Sequence, residues 1–319
     1  LSDVPDIIDT WNEGKVVDTE GYYENAKINR VYVDRVHVKK AFAEYTAAYN
    51  ADDPKIKLKI DHTYRVAALC ERIAKAAGMC AYDVELAWLS GMLHDVGRFE
   101  QIKRYNTFSD ADSVDHAKFG ADLLFKDGLI STFLKGMVKC TGYKPGALED
   151  RYDSDGVFLY DRLNKSDMEM LELAIRCHNM YRIPQDLNRR EQAFCNVLRD
   201  ADKVDIFKVN IDTPLEEIYN TTTEELMKSD ITDEVLKAFY EEHCILKAIR
   251  RTPADTVIGH VSLAYELVYD ESVRITVEQG YLAKLMHFHS DNEETNRKMA
   301  MVREKMDSYV KKRIGEKDA

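Results

Sequence analysis

The stretch Gly91-Met92-Leu93-His94-Asp95-Val96-Gly97-Arg98 sets an imidazole beside a carboxylate at the end of an apolar run, Val84 to Leu93. Adjacent residues do not share a helix face, but at a helix end both side chains can turn toward one point. A neutral imidazole and a carboxylate together suit a hard or borderline divalent metal ion. Taken alone, the pair also fits an ordinary helix C-terminus, where a histidine lies near the negative end of the dipole. Gly97 falls where a left-handed helix stop is expected.

Further residues of the same chemistry follow a definite order. His62 lies in Lys59-Ile60-Asp61-His62-Thr63-Tyr64-Arg65, His116 in Asp115-His116-Ala117-Lys118, and His178 in Ile175-Arg176-Cys177-His178-Asn179. Asp202 lies in Arg199-Asp200-Ala201-Asp202-Lys203-Val204-Asp205. The series His, His-Asp, His, His, Asp resembles the HD-domain superfamily of metal-dependent phosphohydrolases, and most closely its members with two extra histidines and a two-metal centre. The resemblance covers about residues 55 to 210. The His-Asp pair and the Asp-Ala-Asp-Lys-Val-Asp run are its most specific parts.

The resemblance implies an all-α fold with an HD-domain helical core and a phosphoric ester hydrolase activity. It implies that His62, His94, Asp95 and Asp202 hold one metal ion, that His116 and His178 hold a second, and that Asp95 bridges the two. One or two divalent transition metal ions (Fe, Mn, Ni, Co or Zn) suit such ligands. Two ions about 3.5–4 Å apart can clamp a phosphoryl group and acidify a bridging water, whose hydroxide attacks phosphorus in line. Arg65, Arg98 and Lys203 are the cations expected to neutralise the phosphoryl oxygens. Asp205 is expected to orient Lys203 or to move a proton.

Two other readings use the same residues. Myo-inositol oxygenase and the HD-type phosphonate oxygenases employ a similar six-ligand set with a di-iron centre. A noncatalytic ligand-binding or regulatory protein could retain metal without turnover. Cyclic-di-GMP phosphodiesterases of this fold carry a paired His-His and a Gly-Tyr-Pro motif, whereas here His178 is followed by Asn179 and only Tyr181-Arg182-Ile183-Pro184. No P-loop, Gly-x-Gly-x-x-Gly or Gly-x-Ser-x-Gly pattern is present, so nucleophilic-serine and dinucleotide-binding chemistry are unsupported. The expected substrate is a small phosphorylated metabolite, a nucleotide foremost.

The elements that must carry these side chains read as helices. Val31 to Tyr49 has helical periodicity, Asp53-Pro54 starts the helix that bears His62 and Arg65, and Gly78 stops it. Asp83 is expected to cap the next helix, which ends at His94-Asp95. Arg98 to Asp112, with Lys103, Arg104, Tyr105 and Phe108, reads as a basic loop beside the site. Ser113 is expected to cap the helix of His116, and Leu129 to Cys140 to form a short helix. Residues 141 to 165 read as a long loop. Ser166 with Glu169 reads as a capping box for the helix of His178, which Pro184 ends. Glu191 to Phe207 is the helix of Asp202 and Asp205, three apart on one face. Beyond it, Thr213-Pro214, Thr221 with Glu224, Thr252-Pro253 with Asp255, and Ser290 with Glu293 look like helix starts. His243, His260, His287 and His289 lie there without a partner carboxylate motif and read as packing or surface residues. Residues 1 to 28 read as an irregular arm. The expectation is one all-α domain over 1–319, with an arm and helix to 54, the metal-binding core over 55–210, and a helical extension over 211–319 packed on it.

Composition bounds the rest. The 319 residues are 45% apolar, enough for a substantial core. A net charge of −12 argues against binding nucleic acid duplexes or membrane surfaces. Cys70, Cys80, Cys140, Cys177, Cys195 and Cys244 show no Cys-x-x-Cys spacing, as expected of free thiols in a reducing, cytoplasmic compartment. No apolar run reaches transmembrane length. Homo-oligomerisation is left open.

Overall fold

The computed structural model describes residues 33–134, 165–219 and 221–315. Among them every regular element is helical and there is no strand, so the fold is all-α as expected. The expected arm over 1–28 and the loop from 141 lie outside the described residues. The chain divides into two compact units, Leu1–Leu198 and Arg199–Ala319.

The first unit carries α1 (Arg35–Thr46), α2 (Pro54–Ala76), α3 (Ala81–Leu93), α4 (Val96–Tyr105), α5 (His116–Ala121), α6 (Ile130–Leu134) and α7 (Lys165–Cys177). It ends within α8 (Arg189–Asp212). Asp53 caps α2 through its carboxylate, with Pro54 in the first turn, and Gly78 takes the left-handed conformation just past its end. The apolar face of α2 (Val66, Ala67, Cys70, Ile73, Ala74) is fully buried and packs along α3. These two helices approach closely because Gly91 faces Ala67: a Cβ at Gly91 would lie 2.6 Å from the Ala67 Cα.

Several local expectations are corrected. Gly97 is not a helix stop but lies inside α4 with ordinary helical backbone. The glycine is needed for packing instead, since a Cβ there would lie 2.4 Å from the His116 carbonyl oxygen and 2.7 Å from the Gly120 nitrogen. The expected basic loop after Arg98 is helical to Tyr105, and Asn106 closes it in the left-handed conformation. Asp83 does not cap α3, whose N-cap position is Cys80. It is buried against Arg190 at 2.7 Å. The same arginine reaches Asp167 at 2.7 Å, which also accepts from the Tyr82 hydroxyl, so a buried polar cluster ties α3, α7 and the start of α8 together. Asp115 rather than Ser113 caps α5. Ser166 lies within the first turn of α7, and that helix ends at Cys177, well before Pro184.

The second unit continues α8 from Arg199 and adds α9 (Leu215–Tyr219), α10 (Thr223–Lys228), α11 (Asp233–Tyr240), α12 (Pro253–Val261), α13 (Asp270–Gln279), α14 (Tyr281–Met286) and α15 (Glu293–Ile314). The Thr252-Pro253-Asp255 capping box forms as expected. The box expected at Thr221 and Glu224 sits one residue later, at Thr222 and Glu225. Asn292 rather than Ser290 caps α15. Asp200, fully buried, accepts from the Val268 and Tyr269 nitrogens and from the Ser272 hydroxyl. It thereby fastens the start of α13 to α8.

Among the described residues, five cysteines are free thiols, all but Cys80 buried. No described helix is long and apolar enough to cross a membrane.

Candidate metal centre

Asp95 is the pivot of the first unit. The backbone leaves helical geometry at this one residue (φ −107°, ψ 15°), between the end of α3 at Leu93 and the start of α4 at Val96. That break aims the His94 and Asp95 side chains at one point, as adjacent positions on an unbroken helix could not. The Asp95 side chain is 2% exposed, and His94, His62, His116 and His178 are all buried around it.

The four imidazoles form an arc. Their ring centroids are 5.2 Å apart from His62 to His94, 5.1 Å from His94 to His178, and 4.9 Å from His178 to His116. The two carboxylate oxygens divide the arc. Asp95 Oδ2 lies 3.6 Å from both the His62 and the His94 Nε2 atoms. Asp95 Oδ1 lies 3.5 Å from His116 Nε2 and 3.7 Å from His178 Nε2. Within each pair the Nε2 atoms are close, 3.3 Å for His62 and His94 and 3.0 Å for His116 and His178.

Hydrogen bonds on the far side of the rings decide which nitrogen faces inward. His94 Nδ1 donates to the Gly91 carbonyl and His178 Nδ1 to the Ile175 carbonyl, each at 2.7 Å and each three residues back. A carbonyl only accepts, so the proton belongs on Nδ1 and the Nε2 lone pair faces Asp95. His116 Nδ1 donates instead to a carboxylate, Asp110 Oδ2, at 2.7 Å. Burial first, then Arg98, pushes the His116 imidazole down to about 4, so it is neutral near pH 7. Burial opposes ionisation of Asp95, but its neighbouring cations, Lys59 foremost and then Arg98, hold its carboxyl well below the usual range.

This donor set fits divalent metal. Two imidazole nitrogens and one carboxylate oxygen converge on each side of Asp95, and Oδ1 is buried with no hydrogen-bond partner among the described residues. Facing lone pairs around a carboxylate need positive charge between them. His94, Asp95 and His178 offer ligand atoms all within 4.8 Å of one another.

Beside Asp95 stand Arg98, which the sequence singled out, and Lys59, which it did not. Lys59, one turn before His62 on α2, places its ammonium 2.7 Å from Asp95 Oδ2. It was missed although it sits three residues from His62, the same spacing in the opposite direction as Arg65. Arg65 is half-buried on the following turn. Arg98 Nε lies 3.8 Å from Asp95 Oδ1, while its Nη1 is taken by the Phe108 carbonyl, Asp110 Oδ1 and the Gln101 side chain. Both Lys59 and Arg98 lie over the Phe108 ring, at 5.4 and 5.6 Å. Gln101, fully buried, binds Asp110, Ser113 and the Val114 carbonyl, and so pins the segment between α4 and α5.

The remaining expected site residues lie on α8 in the second unit. Asp202 is half-buried and Asp205 is buried. The Lys203 amine is sealed from solvent without a hydrogen-bond partner among the described residues. Burial first, then Arg199, pushes it below its usual value, against the pull of Asp200 and Glu266.

A family model described as "HD domain" matches residues 60–313. The match extends past the motif-bearing stretch of 55–210. Neither the curated proteins nor the solved structures gave a match.

Proposed function

The chain belongs to the HD-domain family, and from that premise we propose that it is a metal-dependent phosphohydrolase acting on a small phosphate ester, a nucleotide foremost. The observation that carries this reading is the Asp95 carboxylate, each oxygen of which faces its own pair of imidazole Nε2 atoms. We assign His62 and His94 to one ion, His116 and His178 to the other, and Asp95 to both. Asp202, on α8 in the second unit, is assigned to the first ion on the strength of the family resemblance.

Bound divalent ions would supply Lewis acidity toward a phosphoryl oxygen and an acidified water as nucleophile. The chain's own residues do the rest. Gly91, Ile175 and Asp110 fix the tautomers of His94, His178 and His116, so these three imidazoles need not reorganise. Asp95, held ionised by its cationic surroundings, keeps a full negative charge in a buried site. Lys59 is the cation best placed for a phosphoryl oxygen, being partly exposed and within hydrogen-bond distance of Asp95. Arg98 is largely committed to the segment after α4, so it acts chiefly in positioning. The roles of Arg65, Lys203 and Asp205 rest on the resemblance. Two cations beside the carboxylate favour a phosphorylated substrate over the neutral polyol of an oxygenase.

The test is a panel of nucleotides and generic phosphate esters assayed for phosphate release with each of Mn, Fe, Co, Ni and Zn. Metal-dependent release that is abolished in Asp95→Asn supports the reading. Oxygen consumption by the iron-loaded protein without phosphate release would replace it with the oxygenase, and ligand affinity without turnover with a binding module.

A further inference from the structure

His116 differs from the other imidazoles whose outer partner is defined. His94 and His178 are held by carbonyls of their own helices, three residues back. His116 is the first residue of α5, with no such carbonyl behind it, and its Nδ1 meets the Asp110 carboxylate at 2.7 Å.

Asp110 is itself gripped from three directions. Its Oδ1 accepts from Arg98 Nη1 and Gln101 Nε2, both at 2.9 Å and both from α4. Its Oδ2 accepts from His116 and, at 3.3 Å, from the side-chain amide of Asn179. Asn179 follows His178 directly and also binds Asp115 at 2.9 Å. The carboxylate thus joins the helix after Asp95, the start of α5 at His116, and the residue after His178.

Asp110, Asp115 and His116 together have the composition of a metal site, but the bonding excludes that use. The space between Asp110 and His116 holds a proton. Asp115 is spent on the N-terminus of α5 and on Asn179.

We infer that Asp110 is a positioning residue for the second ion: it fixes His116 with Nε2 toward Asp95 Oδ1 and holds it in register with His178. The inference rests on the two-ion reading above. A carboxylate behind a ligating imidazole orients the ring and strengthens it as a donor, and its loss typically weakens metal affinity 10–100-fold. The loss should fall on one ion only, because Asp110 touches neither His62 nor His94 through any bond described above.

The experiment uses the full chain stripped of metal and titrated with Co(II) or Zn(II) alone, with metal content measured after equilibration against a chelator. Wild type is expected to take up about two ions, in two resolved steps. Asp110→Ala should keep the first step and weaken the second by 10–100-fold, and Asp110→Asn, which retains an acceptor oxygen for Nδ1–H, should lie between. The melting temperature of the metal-free variants reads any structural role. Two ions in wild type and an unchanged second step in both variants would overturn the inference. So would parallel weakening of both steps with a lowered metal-free melting temperature, which marks a merely structural residue. Uptake of a single ion by wild type overturns the two-ion reading itself, and this assignment with it.

Discussion

Replacing Gly97 by alanine puts a methyl group into space already filled by backbone. The new Cβ would stand 2.4 Å from the His116 carbonyl oxygen, 2.7 Å from the Gly120 nitrogen and 2.9 Å from the Gly120 Cα. Side-chain Cβ atoms essentially never come within 3.0 Å of such neighbours, and none of the three is a flexible side-chain end that could swing away. The only relief is to move α5 bodily from α4 until the 2.4 Å separation exceeds 3.0 Å. Overpacking of this kind typically costs about 1–3 kcal/mol, and a rigid backbone contact belongs at the upper end. The displaced helix begins at His116, so the imidazole moves with it, by more than the roughly 0.5 Å that a metal or catalytic constellation tolerates. The expected result is therefore double: a urea midpoint lowered by the equivalent of about 2–3 kcal/mol, and turnover reduced on the order of 10²-fold in the protein that remains folded. Chemical denaturation gives the first number, and phosphate release at saturating metal, on the phosphohydrolase reading proposed above, gives the second. Gly120→Ala probes the same contact from the other side, with its nearest atom at 3.0 Å, and should be milder. If Gly97→Ala is as stable as wild type within about 0.5 kcal/mol, α4 and α5 do not approach each other this closely. If stability falls but turnover does not, His116 is not held by this contact.

Lys59→Met is expected to leave metal content unchanged, since it removes a cation rather than a ligand, while kcat/KM falls about 10–100-fold through loss of one charge-assisted contact. Lost metal with intact turnover per bound ion would reverse that assignment. Stability should also fall in acid through His260 in the second unit. Burial first, then Arg250 and Lys247, lowers this imidazole to about 3, and its ring leans on Tyr219 at 5.5 Å. The unfolded chain takes up a proton below about 6.5 that the folded protein refuses, so the stabilisation is complete above pH 6.5 and is lost as pH falls toward 3. His260→Phe should flatten the slope by roughly 1–2 kcal/mol between pH 6.5 and 5, as read from denaturation midpoints across that range. An unchanged slope would mean that the ring is solvated.

The sequence by itself determined what depends on residues two to four apart. Helical periodicity gave the all-α class. Asp53-Pro54 and Thr252-Pro253-Asp255 marked helix starts because a cap and its acceptors are near neighbours in the chain. The order of His62, His94-Asp95, His116 and His178 pointed to one centre, and the first unit does gather all five side chains. Tertiary structure decided the matters in which local choices were balanced. Gly97 suits a helix stop or a helix contact equally well in sequence, and only the approach of Gly120 selects the second. Asp83 could cap its own helix, but Arg190, distant in sequence, takes its carboxylate. Lys59 and Arg65 both lie three residues from His62, and the position of Asp95 alone distinguishes them. Asp110 reads as one more acidic loop residue until α4, α5 and the end of α7 bring four donors to it. In each case the deciding partner comes from another element. A short-range pattern records which bonds a side chain can make, and burial against distant segments selects the one it does make.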